Sequence, residues 1–196
     1  MKTYTAQPVI IKNLFDDETY AKILKFMSDI VPIMPKGSDS TEFNRTYAHN
    51  VPFFRTIHSQ LADYASNIFG EKVKPSYVFL SMYNNGGQCP LHIDRPQCRY
   101  TIDYLIRMDQ KDPWPIHIGP QMSDEERNAI ANGHPSGRHI KEIIKSVDWN
   151  EALLYPNDAV CYSGTNAWHY RPTKSQGKAD LVFFHFVPEA FDGPLD

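Results

Sequence analysis

A chain of 196 residues, 41% hydrophobic and 22% charged with a net charge of -3, has the size and balance of one globular domain with a sizeable core. No apolar run approaches the roughly 20 residues of a membrane span, and the opening MKTYTAQPVI lacks the apolar stretch of a signal peptide, so a cytoplasmic location and no membrane partner are expected. Three cysteines without a CxxC pair argue against a disulfide framework or zinc ribbon, and an acidic balance without a Lys/Arg run argues against nucleic acid as the partner.

Residues 8 to 13 are apolar and β-branched, and FDDETYAKILKFM follows at once. Asp16 is placed to cap a helix, Asp17 and Glu18 suit the positive end of its dipole, and Tyr20, Ile23, Leu24 and Met27 recur at helical spacing. Pro32 and Pro35 stop that helix, and residues 33 to 50 read as irregular. A second helix is expected from about Pro52 to Phe69, with Phe54, Ile57, Leu61, Tyr64, Ala65 and Ile68 on one face and Gly70 at its end. From Pro75 the texture changes to strand-length runs: SYVFLSMY, CRYTIDYLIR, PIHIG, ALLY, AVCYSG and DLVFFHFV. These predict a β-sandwich or barrel, interrupted by a helical insertion in which Ser123 and Glu126 have the form of a capping box and IKEIIKSV adds a turn or two.

The sharpest local feature is LHID, residues 91 to 94. In an extended strand His92 and Asp94 project from the same face and can converge on one ion. A third ligand is needed, and His169 in GTNAWHYRP, 75 residues after Asp94, is the best candidate. Two histidines and a carboxylate on one face of an octahedral ion leave positions open, the arrangement associated with non-haem Fe(II) oxygenases. Eight histidines in one chain will often produce a chance His-x-Asp, and a lone His beside Trp168 and Tyr170 is more often a packed residue than a ligand.

The order of the motifs resembles that of the Fe(II)/2-oxoglutarate-dependent dioxygenases, and within them the prolyl-hydroxylase-like branch. VIIKNLFDDETYAKILKFM is similar to the family's strand-then-helix opening. FLSMYNNGGQCPLHIDRPQCRYTIDYLI is similar to its turn, HxD and following strand; EALLYPNDAVCYSGTNAWHYRP resembles its Pro-x-Asp, apolar run and distal His; LVFFHFV resembles its closing strand. The likeness runs in order from about residue 8 to 187, with 107 to 148 matching poorly. It implies a mainly β fold with flanking α-helices, a double-stranded β-helix or cupin-like jelly roll. One domain over residues 1 to 196 is expected, with a helical part at about 14–70, a jelly-roll core at about 75–188 and an insertion at about 119–148.

The resemblance further implies Fe(II) held by His92, Asp94 and His169, with 2-oxoglutarate and O2 as cosubstrates and succinate and CO2 as products. Asp94 favours hydroxylation, since related halogenases lack this carboxylate. The far carboxylate of 2-oxoglutarate needs a cation and hydroxyl help. The branch usually has Lys or Arg ten residues after the distal His, where this chain has Ala179. Lys178 would fit if the SQGK turn is one residue shorter; Arg171, on the same strand face as His169, competes and is slightly favoured, and Tyr83 is the hydroxyl candidate.

Arg99, Thr101 and Asp103 alternate on a strand that either lines the cavity or forms a solvated sheet face. His185 is expected to be buried and hydrogen-bonded, Cys89 to be no ligand, and Trp114 to be either packing or substrate wall. A metal-dependent cupin-like isomerase or hydrolase without redox chemistry, and a metal-free binding module, are the rival readings. The substrate is expected to be a small molecule, an amino acid or a peptidyl residue, and the insertion is either a lid or an external decoration.

Overall fold

In the computed structural model, which describes residues 7–128, 137–174 and 176–196, the opening apolar segment forms strand β1 (Val9–Ile11). Helix α1 (Asp17–Asp29) follows, and its cap is Asp16, which accepts the Thr19 N–H at 2.7 Å. Ile23 and Met27, one turn apart, are its buried face. The stretch read as irregular contains two strands, β2 (Gly37–Asp39) and β3 (Arg45–His49). Their sequence carries little apolar alternation, and their strand character comes from backbone pairing with the edge of a longer neighbour.

The helix expected over residues 52–69 is two helices, α2 (Pro52–Gln60) and α3 (Ala62–Phe69). At the break the Leu61 N–H is shared between the carbonyls of Ile57 and His58. Phe54, Ile57, Leu61 and Ala65 still form one buried face across it, whereas Tyr64 is 40% exposed. Gly70 closes α3 at φ 69°, a conformation that disfavours a side chain, and its N–H reaches Ser66 O.

The remaining strands are β4 (Val73–Tyr83), β5 (Cys89–His92), β6 (Tyr100–Met108), β7 (Ile116–Gln121), β8 (Asn150–Ala152), β9 (Ala159–Tyr162), β10 (Ala167–Arg171) and β11 (Ala179–Pro188). A 3₁₀ turn at Pro96–Cys98 precedes β6, and helices α4 (Asp124–Asn128) and α5 (Gly137–Ser146) lie between β7 and β8. Residues 129–136 of the expected insertion lie outside the described residues. The strand predicted from ALLY is displaced: pairing ends at Ala152, and Leu154 is buried without belonging to a strand.

Every pairing is antiparallel, in a large sheet β1-β9-β6-β11-β4-β3-β2 and a small sheet β5-β10-β7-β8. The two face each other as a double-stranded β-helix, with α1, α2 and α3 on the outer face of the large sheet. Val78, Leu80, Ile102, Tyr104, Phe184 and Phe186 pack against the helices, while Tyr83, Leu105, Val160, Tyr162 and Leu181 point between the sheets. Covered on both faces, the central strands β4, β6 and β11 carry apolar residues in near-continuous runs. The Pro-x-Asp motif serves the fold: Asn157 Nδ2 donates to Phe15 O and its Oδ1 accepts from Tyr104, while Asp158 pairs with Lys12 at 2.7 Å. This clamp ties the β1–α1 connection to the large sheet.

His58 couples the helices to β11, its Nε2 lying 2.8 Å from His185 O. Burial first, and the neighbouring His185 second, push its pKa down to about 3, so it is neutral in the fold. In the unfolded chain an ordinary histidine titrates near 6.5. The unfolded state therefore binds the extra proton, and stability is lost as pH falls below about 6.5 towards about 3. Urea unfolding should show a decline between pH 7 and pH 5 to which His58 contributes on the order of 2 kcal/mol. His58→Gln, which keeps a donor for the carbonyl, should shrink that decline; an unchanged pH slope would refute the assignment.

Candidate metal centre

Strand β5 ends at His92, and β10 places His169 directly opposite it. Ladder pairing stops there, so Asp94 lies two residues beyond the strand rather than within it. The Asp94 N–H donates to Gly164 O at 2.8 Å, which turns its carboxylate back towards the two imidazoles. Asp94 Oδ1 is 3.4 Å from His92 Nε2 and 3.7 Å from His169 Nε2, and the three ligand atoms lie within 4.8 Å of one another.

Both rings are oriented alike. His92 Nδ1 lies 2.7 Å from Pro90 O and His169 Nδ1 lies 3.0 Å from Ala167 O. A carbonyl only accepts, so Nδ1 carries the proton and Nε2 is the atom offered to an ion, as histidine ligands in metal sites commonly are. Burial alone would raise the Asp94 pKa, but His169 and His92 outweigh it and hold the carboxylate well below its usual range. Burial and then His92 push His169 down to about 4, keeping it a neutral donor. At His92 burial is opposed by Cys89 and Asp94, which raise its pKa well above the ordinary value. An ion arriving at this nitrogen displaces a proton.

A second set, Asp94, Cys98 and His185, shares the same carboxylate. There the Cys98 Sγ lies 2.8 Å from the Tyr77 hydroxyl, and burial pushes the thiol pKa well above its ordinary value, leaving a protonated, poor ligand. His185 is buried as expected, with Nδ1 3.1 Å from Thr101 Oγ1 and its pKa lowered to about 4 by burial. Cys89 Sγ approaches His92 from the Nδ1 side, away from the ligand nitrogen.

The triad opens onto a cavity of about 150 Å³ between the sheets, into which Tyr83, Asp103, Arg171 and Arg45 project. Arg171 Nη2 donates to Asp103 Oδ2 at 2.7 Å and Nη1 to Trp114 O at 2.9 Å. This ion pair is buried, Arg171 at 3% and Asp103 at 0% exposure, and it joins β10 of the small sheet to β6 of the large one. Burial raises the Asp103 pKa, an effect that Arg171 opposes.

Lys178 is placed differently. It borders a separate surface recess with Asp109 and Asp180, and its backbone N–H donates to Asp109 Oδ2 at 3.2 Å. Of the anchors expected from sequence, Tyr83 and Arg171 thus meet in the cavity and Lys178 does not. Trp114 is packing, buried with its Nε1–H on Pro172 O at 2.7 Å and its ring edge-on to Tyr83. The alternating trio divides: Thr101 and Asp103 are buried, whereas Arg99 precedes β6 and bonds Asp124, Thr165 and Asn166. Because Asp124 belongs to α4, which is capped by reciprocal Ser123 and Glu126 bonds, the start of the insertion is fastened to the loop that leads into β10 and His169.

Sequence reasoning did not single out Gly164 or Arg45. Gly164 stands in the GTN turn, where a Cβ would fall on Asp94 Oδ2 and within 2.5 Å of Cys98 O. A glycine in the loop before a candidate ligand was the available signal. Arg45 had none, because its segment did not read as a strand.

No family model matches the sequence, and no curated protein matches it. Solved structures share the fold. They include the non-haem α-ketoglutarate-dependent carbocyclase SnoK from nogalamycin biosynthesis, with TM-score 0.74, 8% identity, and coverage of 95% of this chain and 82% of that one. The α-ketoglutarate-dependent epimerase SnoN from the same biosynthesis has TM-score 0.72, 10% identity, and coverage of 94% and 79%. HygX from Streptomyces hygroscopicus, solved with nickel and 2-oxoglutarate bound, has TM-score 0.66, 11% identity, and coverage of 95% and 85%. At such identities the likeness is one of fold.

Three variants probe this geometry. Gly164→Ala should leave the chain folded and weaken Mn(II) binding by roughly 10–100-fold, the usual effect of disturbing a group that orients a metal ligand; unchanged affinity by calorimetry would contradict the role. Asp103→Leu strands the Arg171 charge and should cost about 3–5 kcal/mol in urea unfolding, whereas Asp103→Leu with Arg171→Met should recover most of it. Additive losses in the double variant would mean the two residues act independently.

Proposed function

We propose that this chain is an Fe(II)- and 2-oxoglutarate-dependent oxygenase that hydroxylates a C–H bond of a small molecule, an amino acid or a peptidyl residue. The observation that carries the reading is the convergence of His92 Nε2, Asp94 Oδ1 and His169 Nε2 at one end of an inter-sheet cavity. The donor set fits the metal: two imidazoles, both neutral once an ion has displaced the His92 proton, and one carboxylate suit a divalent first-row ion and leave coordination positions free. With both Nδ1 atoms engaged by carbonyls, the chain offers the ion nitrogens that need no reorganisation.

Iron and 2-oxoglutarate, when bound, supply with O2 the oxidant for C–H attack and leave succinate and CO2. The chain's own residues do the rest. His92, Asp94 and His169 would hold the metal, Tyr83 with a cavity guanidinium would face the remote carboxylate of the cosubstrate, and the buried apolar walls would keep water from the reacting centre. Phe79, Phe183 and Tyr77 border the same cavity and provide an aromatic seat for substrate.

The whole chain acts as one domain in this reading, and the insertion, fastened at Asp124, is its specificity element. Placement in the prolyl-hydroxylase-like branch rests on motif order, from which Ala179 departs. Among the described residues no helix is long and apolar enough to cross a membrane. A cytoplasmic location accords with the unpaired state of Cys89, Cys98 and Cys161.

Anaerobic addition of Fe(II) and then 2-oxoglutarate should produce a weak visible charge-transfer band, and substrate-stimulated succinate formation should appear in a screen of free amino acids and short peptides. Asp94→Ala should abolish both the band and stoichiometric iron binding. Iron bound without a band would favour the non-redox cupin-like reading, and unchanged iron stoichiometry in Asp94→Ala would remove the ligand assignment.

A further inference from the structure

Where the resemblance in sequence places a basic residue, ten positions after His169, the chain has Ala179. In the large sheet Ala179 pairs with Tyr83, and Tyr83 pairs with Arg45. Directly paired residues of antiparallel strands project to the same side. Ala179, Tyr83 and Arg45 therefore form one row across β11, β4 and β3. Arg45 leans back along it, its Nη1 donating to Ser81 Oγ at 3.2 Å and to Tyr83 OH at 3.1 Å, so its charge lies over β4.

The two guanidiniums of the cavity differ in what already neutralises them. Arg171 is paired with Asp103 and bonded to Trp114 O. An anion arriving beside it would meet the Asp103 carboxylate, which no solvent screens. Arg45 has no carboxylate within ion-pair distance among the described residues; its cross-strand partner Asp39 accepts from Glu42 N at 3.1 Å instead. Its buried Nε has no hydrogen-bond partner among the described residues. The guanidinium is held between rings, 3.9 Å from the Phe43 centroid and 4.8 Å from that of Phe79, and so is already positioned. Ser81 and Tyr83 accept from Arg45, buried Ser81 also hydrogen-bonds the Tyr83 oxygen, and the Tyr83 hydroxyl at the cavity wall keeps its proton to donate. Burial raises the Tyr83 pKa, which keeps that proton in place.

We propose that Arg45, with the Tyr83 hydroxyl, binds the remote carboxylate of the 2-oxo dicarboxylic acid cosubstrate, taking the part of the basic residue missing at position 179. This rests on the function proposed above. The Arg171–Asp103 pair is then a positioning element between the sheets, and Lys178 takes no part.

The test uses the Mn(II)-loaded protein under anaerobic conditions, titrated by calorimetry with 2-oxoglutarate and with 2-oxopentanoate, which has the same carbon chain without the remote carboxylate. The wild type should prefer 2-oxoglutarate. Arg45→Gln should weaken 2-oxoglutarate by roughly 10–100-fold, the range for losing a charge-assisted hydrogen bond, and leave 2-oxopentanoate nearly unchanged; Arg45→Lys should restore part of the preference. The Asp103→Leu, Arg171→Met protein should keep the preference even though Arg171 is gone. If Arg45→Gln retains it and the double variant loses it, Arg171 is the anchor and the inference is overturned while the proposed function stands. If the metal-loaded wild type binds neither acid, the proposed function falls and the inference with it.

Discussion

One buried ion pair sets the space in which everything else is arranged. Arg171 on β10 and Asp103 on β6 meet between the two sheets, both buried. A fully desolvated pair adds little net stability over an apolar pair, but each partner alone is costly, so the two must stay together. Their fixed contact joins the small sheet to the large one two residues from His169. The three candidate ligands all belong to the small-sheet side, and the aromatic and hydroxyl side chains that face them belong to the large sheet. The width between these groups is therefore governed by a contact that is itself part of neither.

The candidate metal centre inherits its precision from backbone. His92 and His169 are register partners, both rings are turned by carbonyls two residues away in sequence, and Asp94 is held by Gly164 O. No side chain outside the triad is needed to choose the tautomers. Such a site is preorganised at little entropic expense, since strands and tight turns already fix the atoms that orient the ligands.

The parts legible in the sequence were those encoded by short spacing. The Asp16 cap, the Ser123 and Glu126 box, and His92 with Asp94 all depend on residues two or three apart, and all appear in the structure. The partnership of His169 with His92 was readable only through motif order, because cross-strand register is a property of the whole sheet. The strand carrying Arg45 was not readable: RTYAH has no apolar period of its own and gains its strand from pairing with β4. The break at Leu61 was hidden because the apolar face runs on across it, and the Arg171–Asp103 pair because nothing local joins residues so far apart in sequence.

The clamp at Asn157 and Asp158 has a further consequence. An open sheet of seven strands presents two rows of unpaired backbone groups, and the apolar AVCY of β9 would be a ready template for another chain. By tying down the β1–α1 connection, the clamp keeps the three residues of β1 laid along that edge, paired with β9 and followed at once by the charge of Lys12. At the opposite margin β2 is equally short and ends in Asp39. The same contacts that seat the first helix therefore also keep the backbone groups of β9 paired, so that the edge left to solvent is a strand of only three residues.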